Sequence, residues 1–282
     1  MDVDSPSEGT QSGAPRPLRV LTSLGRCGTL WVRHLISCPL GIGPQERSRQ
    51  LQQPERLIWS LKYEAPTRLI YEHFDHDFHG PILTPDHYPG LRLVLLYRHP
   101  LDSLISMFHV FASQGRLPRD DLDAVGHMKL YLRGQWPEQR DPEAMPERLS
   151  NTWLLGLSYR EVIRRRVVDW IKTGNCLPVR YEDVVADTER ETVRMLDYLC
   201  IPYTPESLAR CIERNSFQTR SGGRSPGQVD PASHYRRGVP DEWRDVFDEA
   251  DLAFVRDQMG DHLEFLGYPL AQQTAGSGRA RA

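Results

Sequence analysis

The sequence lacks an excess of either charge. Its 35 Lys and Arg residues face 38 Asp and Glu, a formal net charge of −3 over 282 residues. A protein that coats DNA or an anionic membrane needs a domain-wide cationic surplus, so nucleic acid is not an expected partner. Cysteine is scarce. Cys27, Cys38, Cys176, Cys200 and Cys211 are odd in number and contain no CxxC pair. That argues against both a disulfide framework and a zinc site, and unpaired thiols favour a reducing compartment. No apolar run approaches the ~18 residues that a membrane span requires. The N-terminus has no charged-then-apolar leader pattern, and no internal repeat is visible. The expectation is therefore a soluble, cytoplasmic, globular protein without a membrane span, long enough to bury a sizeable core. A local basic pocket remains compatible with this balance.

Residues 1–17 and 271–282 are rich in Ser, Gly, Pro, Gln and Ala with little to bury, and read as disordered tails. The stretch 18–270 between them reads as one domain. Leu18–Leu24 is a short apolar strand running into Gly25, and Gly28–Ser37 is helical. Strands follow at Arg68–Tyr71, at the near-continuous apolar run Leu91–Tyr97, and at Leu177–Tyr181. Helical patterns cover Leu101–Ser113 after Pro100, much of 120–173, Asp187–Leu199 with Asp187 as cap, and Asp241–Leu266. Residues 218–233, rich in Gly, Ser and Pro, read as a mobile loop. Arg160-Glu-Val-Ile-Arg164-Arg165-Arg166 reads as a solvated charged face. Strands separated by helices predict an α/β fold: a P-loop-like, three-layer α/β/α arrangement around a central parallel sheet. Its ligand belongs at the C-terminal strand ends.

Two such ends carry cations. The first strand feeds Ser23-Leu24-Gly25-Arg26-Cys27-Gly28-Thr29-Leu30-Trp31. A strand, a glycine turn and a helix start direct several N–H groups at one point and add the positive end of the helix dipole, which suits a phosphate or sulfate. Arg26 adds a full charge and Thr29 a hydroxyl. A Walker loop would need Lys after its last glycine, and here Thr29 follows Gly28, so ATP–magnesium chemistry is disfavoured. By pattern alone an ordinary βα turn fits equally well. The third strand ends in Tyr97-Arg98-His99-Pro100-Leu101-Asp102-Ser103-Leu104-Ile105-Ser106. Arg98 and Ser106 can converge on one phosphate. Alternatively Arg98 pairs with Asp102 and Ser106 only packs.

Taken together, these elements resemble the cytosolic-type sulfotransferases, which use 3′-phosphoadenosine 5′-phosphosulfate (PAPS). Gly25-Arg26-Cys27-Gly28-Thr29-Leu30-Trp31 is similar to that family's P-K-S-G-T-[ST]-W loop, and Arg98-His99-Pro100-Leu101-Asp102…Ser106 to its R-x-P-x-D-x-x-x-S element. Tyr181-Glu182-Asp183, Ser216-Phe217, Arg236-Arg237-Gly238…Trp243 and the ending Leu266-Gly267-Tyr268 follow in family order. The resemblance covers about 18–268. It implies a sulfotransferase that moves a sulfuryl group from PAPS to a hydroxyl or amine of a small-molecule acceptor. It implies that Arg26, Cys27, Gly28, Thr29 and Leu30 surround the 5′-phosphosulfate, with Leu30 replacing a hydroxyl. Trp31 and Phe217 would flank the adenine, with Tyr181 nearby. Arg98, Ser106, Arg236, Arg237 and Gly238 would hold the 3′-phosphate. No form of the family's short C-terminal dimerisation motif is evident, and the sequence does not specify the oligomeric state.

Transfer to a hydroxyl needs a base and a way to stabilise the departing phosphate. The family places a His in a K-T-H run after its second strand. The corresponding run here is Tyr71-Glu72-His73, which puts His73 at the base and Tyr71 where a Lys would stand. His76 is the runner-up, and Glu72 is a further candidate to orient the base or act in its place. Arg26 would stabilise the leaving phosphate and carry more of the charge in the absence of that Lys. His73, His76 and His79 with Asp75 and Asp77 could also ligate a metal, but a strand-to-loop segment does not align them, and no metal is expected. The competing readings are a phosphate-loop kinase and a nucleotide-binding module without catalysis.

Overall fold

A computed structural model describes residues 17–41, 69–118, 120–136 and 157–270. Four parallel strands, β1 (Leu18–Ser23), β2 (Ile70–Glu72), β3 (Leu91–Tyr97) and β4 (Cys176–Arg180), form one sheet in the order β2-β1-β3-β4. The helices along the chain are α1 (Thr29–Ser37), α2 (His76–His79), α3 (Pro100–Ser113), α4 (Ala124–Leu132) and α5 (Tyr159–Ile163). A π-helical turn (Arg164–Val168) leads from α5 into α6 (Asp169–Lys172). Then come α7 (Tyr181–Ala186), α8 (Thr188–Tyr198), α9 (Pro205–Arg214), α10 (Phe217–Arg220), α11 (Trp243–Val246) and α12 (Glu249–Phe265).

Leu93 to Leu96 of β3 are buried without alternation. Successive strand residues point to opposite faces, so both faces of the sheet are covered, as its flanking helices require. β1 pairs with β3 from Leu18↔Leu91 to Ser23↔Leu96, and with β2 from Val20↔Ile70 to Thr22↔Glu72. Because all strands run the same way, the β1 turn, His73, Arg98 and Tyr181 emerge at one edge.

The strand forecasts match closely, except that Tyr181 opens α7 instead of ending β4. Asp187 caps α8 as expected, its carboxylate accepting from the Arg190 N–H at 3.0 Å. The helix forecast for Asp241–Leu266 divides, because Phe247 is extended and Asp248 caps α12. The tails, apart from residue 17, and residues 137–156 of the helical forecast lie outside the described residues.

Two expectations are corrected. Cys38, just beyond α1, and Cys211 of α9 are joined by a disulfide with Cα atoms 5.8 Å apart and a sequence separation of 173. No local spacing could announce such a pair. Cys27, Cys176 and Cys200 are free, but the case for a reducing compartment loses its premise. The arginine run is not a solvated face either. Arg166 is buried, while Arg164 and Arg165 reach Asp77 at 2.9 and 3.0 Å. These ion pairs pin the segment that follows β2.

His99 shows how the β3–α3 turn is held. Its Nδ1 accepts from the Leu101 N–H at 3.3 Å, and its ring stacks on Trp243 with centroids 4.7 Å apart. Burial, helped by the charge of Arg98, lowers its pKa to about 3. As pH falls below about 6.5, the unfolded chain takes up a proton that folded His99 refuses. Stability is therefore lost between about 6.5 and 3, by roughly 2 kcal/mol at pH 5 from this group. Urea midpoints at pH 7.5 and 5.0 should show that fall. It should shrink in His99→Asn, which keeps an acceptor at the cap.

Candidate active site

The β1–α1 turn is built from backbone conformations that few residues adopt. Gly25, Arg26 and Gly28 have φ of 96°, 54° and 81°. At Gly28 a Cβ would lie 2.6 Å from the Tyr181 ring, so a side chain there is excluded twice. The turn delivers the N-terminus of α1 to a cavity of about 590 Å³. That cavity is lined by Arg26, Gly28, Thr29, Leu30 and Trp31, by Tyr71 of β2 and His73 just after it, by Arg98 and Ser106, and by Tyr181. Phe217 and Arg236, Arg237 and Gly238 complete it from the C-terminal side. Segments more than 200 residues apart in sequence thus meet at one site, as the motifs implied.

Two expected residues are not on that wall. Cys27 is fully buried, and its thiol faces the Leu96 carbonyl at 3.4 Å. Burial raises its pKa, so its side chain is a core group. His76 packs edge-on against Trp170 with centroids 5.0 Å apart. The histidine series does not converge: His73 bonds Ser23, and His79 Nδ1 contacts the Asp75 carbonyl at 2.9 Å. His76 does approach Asp77 and Asp169, but Arg164 ion-pairs with both carboxylates.

His73 is held from behind. Its Nδ1 lies 3.0 Å from the Ser23 carbonyl and 2.8 Å from the Ser23 hydroxyl. A carbonyl only accepts, so Nδ1 carries the proton, which makes Nε2 the basic nitrogen of the ring. The Ser23 hydroxyl in turn lies 2.8 Å from Thr29 Oγ1. A hydrogen-bonded line therefore joins His73 to the hydroxyl at the helix start. Ser23 had no assigned role in the sequence. Its signal is the β1–β2 register, which sets the residue after Thr22 beside the one after Glu72.

The arginines are already engaged. Arg98 Nη2 donates to Asp102 and to the Val239 carbonyl, both at 3.0 Å, and the guanidinium lies 4.8 Å from the Tyr181 ring centroid. Burial opposes its charge, but Asp102 and its neighbours outweigh that and raise its pKa. Arg98 thus pairs with Asp102, as one of its two readings expected, and also lines the cavity. Arg236 grips Glu242 through both amino groups. Burial would raise the Glu242 pKa, yet Arg236 and Arg237 bring it below its usual value. Arg26 Nε reaches the Ser106 hydroxyl at 3.4 Å, so the turn's cation meets α3 across the cavity wall.

The stretch 218–233, expected to be mobile, is cross-linked by Arg224. This side chain donates to the carbonyls of Gln228, Tyr235 and Arg236 and lies 5.6 Å from the Phe217 ring centroid. The Phe217 ring fills the space over Gly238 that a Cβ would need.

The sulfotransferase domain model matches residues 19–267, nearly the whole described chain. The chain belongs to the sulfotransferase family. Its fold resembles several solved structures. A mouse sulfotransferase (SULT7A1) complexed with PAP superposes with a TM-score of 0.62 at 16% identity, over 89% of this chain and 86% of that one. Retinol dehydratase complexed with retinol and PAP gives 0.55 at 18% identity, over 88% and 83%. Its complex with androsterone and inactive cofactor PAP gives 0.56 at 18%, over 92% and 84%. No curated protein matches the chain in sequence. The sulfotransferase uses PAPS as sulfuryl donor, and its cavity fits such a group. Trp31 Nε1 and Arg98 Nε are buried there without partners, and the glycine turn forms an anion cradle. Among the described residues, no helix is long and apolar enough to cross a membrane.

Proposed function

We propose that this sulfotransferase sulfates a hydroxyl or amine of a small-molecule acceptor, with His73 as general base. The observation that carries this reading is the line Thr29–Ser23–His73, which fixes a basic nitrogen beside the anion cradle. His73 Nε2 takes the acceptor's proton as its oxygen or nitrogen attacks sulfur. The N–H groups of the turn, Thr29 and Arg26 stabilise the charge left on the 5′-phosphate. Arg98, Ser106, Arg236, Arg237 and the Gly238 N–H bind the 3′-phosphate, for which Arg236 would loosen its grip on Glu242. Trp31, Phe217 and Tyr181 enclose the adenine. The apolar wall of Met107, Val110 and Phe111 suits an acceptor with an apolar body.

Calorimetry with adenosine 3′,5′-bisphosphate (PAP) should show saturable binding. Radiolabelled PAPS should then transfer label to at least one member of a panel of phenols, alcohols and amines. Failure to bind PAP would overturn the site assignment. Binding without transfer across the panel would overturn the acceptor class.

A further inference from the structure

The reaction just proposed gains from every donor near the reacting sulfur, and the cavity wall offers one beyond the turn N–H groups, Thr29 and Arg26. Tyr71 lies two residues before His73 on β2, so the strand alternation directs both to the same side. Both line the cavity with Thr29 and Arg26. Among the described residues no hydrogen bond uses the Tyr71 hydroxyl. Behind its ring, the Arg33 guanidinium carbon lies 4.4 Å from the centroid. Arg33 follows Thr29 by four residues, one turn along α1, so the helix that presents the loop hydroxyl also presents this cation. Arg33 is only 7% exposed. A buried cation on a ring face withdraws electron density from it, which makes the phenol a stronger hydrogen-bond donor.

Resting on that reading, we propose that Tyr71 is a further catalytic residue, whose hydroxyl donates a hydrogen bond to the sulfuryl oxygens at transfer, with Arg33 as its positioning and polarising partner. The acceptor oxygen forms its bond to sulfur as the bond from sulfur to the 5′-phosphate oxygen breaks. The bonding pair stays with that phosphate oxygen, and the acceptor proton passes to His73. Tyr71 keeps its own proton throughout. A neutral donor backed by a cation thus stands on the cavity wall beside His73. It adds stabilisation without adding a second mobile charge beside the base.

The test is Tyr71→Phe, which keeps the ring and its contact with Arg33 and removes only the hydroxyl. With the best acceptor of the panel, kcat should fall 10- to 100-fold, while the PAP dissociation constant and the urea midpoint stay within experimental scatter. Arg33→Lys should give a smaller fall, and none in the Tyr71→Phe background. Unchanged kcat in Tyr71→Phe, with His73→Asn inactive, overturns this proposal alone. Unchanged kcat in both variants overturns the reaction centre itself.

Discussion

Replacing His73 by Asn is expected to lower kcat by about 10²- to 10⁴-fold with PAP affinity unchanged. The size follows from what is lost and what is kept. The Asn amide can still donate toward the Ser23 carbonyl, which holds Nδ1 of His73 at 3.0 Å. The wall therefore keeps its shape, and the proposed nucleotide contacts, which come from other segments, are untouched. What disappears is a basic nitrogen beside the cradle. Single-turnover measurement of sulfuryl transfer, paired with PAP calorimetry, separates the two quantities. A His73→Asn enzyme that transfers at the normal rate would place the base elsewhere. Ser23→Ala should act in the same direction but less, because the carbonyl contact survives.

Arg98→Ala is expected to act twice. PAP binding should weaken by about 1.5–3 kcal/mol as a charge-assisted contact is removed. Stability should fall by about 3–5 kcal/mol, because Asp102 would be left buried without its countercharge. Asp102 is fully buried, and besides Arg98 it accepts from the Asp241 and Trp243 N–H groups at 2.8 and 2.9 Å. The variant thus undermines the junction between α3 and α11 as well as the ligand site. Urea unfolding measures one effect and calorimetry the other. Arg98→Lys should recover more of the stability than of the affinity, since an ammonium keeps the charge without the planar fork. Normal PAP affinity in both variants would make Arg98 a purely structural residue.

The comparison of sequence and structure divides along contact distance. β3 was legible because both faces of a central parallel strand are covered, which leaves seven residues with little polarity. The phosphate turn was legible because its glycines answer a backbone demand, and Gly28 meets that demand with φ of 81° and a tyrosine ring where a Cβ would be. Arg98 and Ser106 could be placed because one helix start fixes their spacing. What sequence could not supply were partners set by the tertiary register. Ser23 and His73 are 50 residues apart, and nothing local links them. Arg33 reads as an ordinary helix residue until Tyr71 is seen against it. The loop composition at 218–233 suggested mobility, yet the half-buried Arg224 side chain supplies carbonyls with the donors that regular structure would have given. The arginine run before β4 reads as a surface because the partner that ties it to the segment after β2 is remote in sequence, with Arg164 and Asp77 separated by 87 residues.

The Cys38–Cys211 bond has a geometric meaning beyond holding two helices together. It makes a single covalent anchor point from which two short arms emerge. One arm runs back along α1 to the phosphate turn, and the other runs forward through Phe217 to Arg236 and Gly238. Both line the same cavity, like tongs riveted at one point, and the bond keeps their bases from drifting apart.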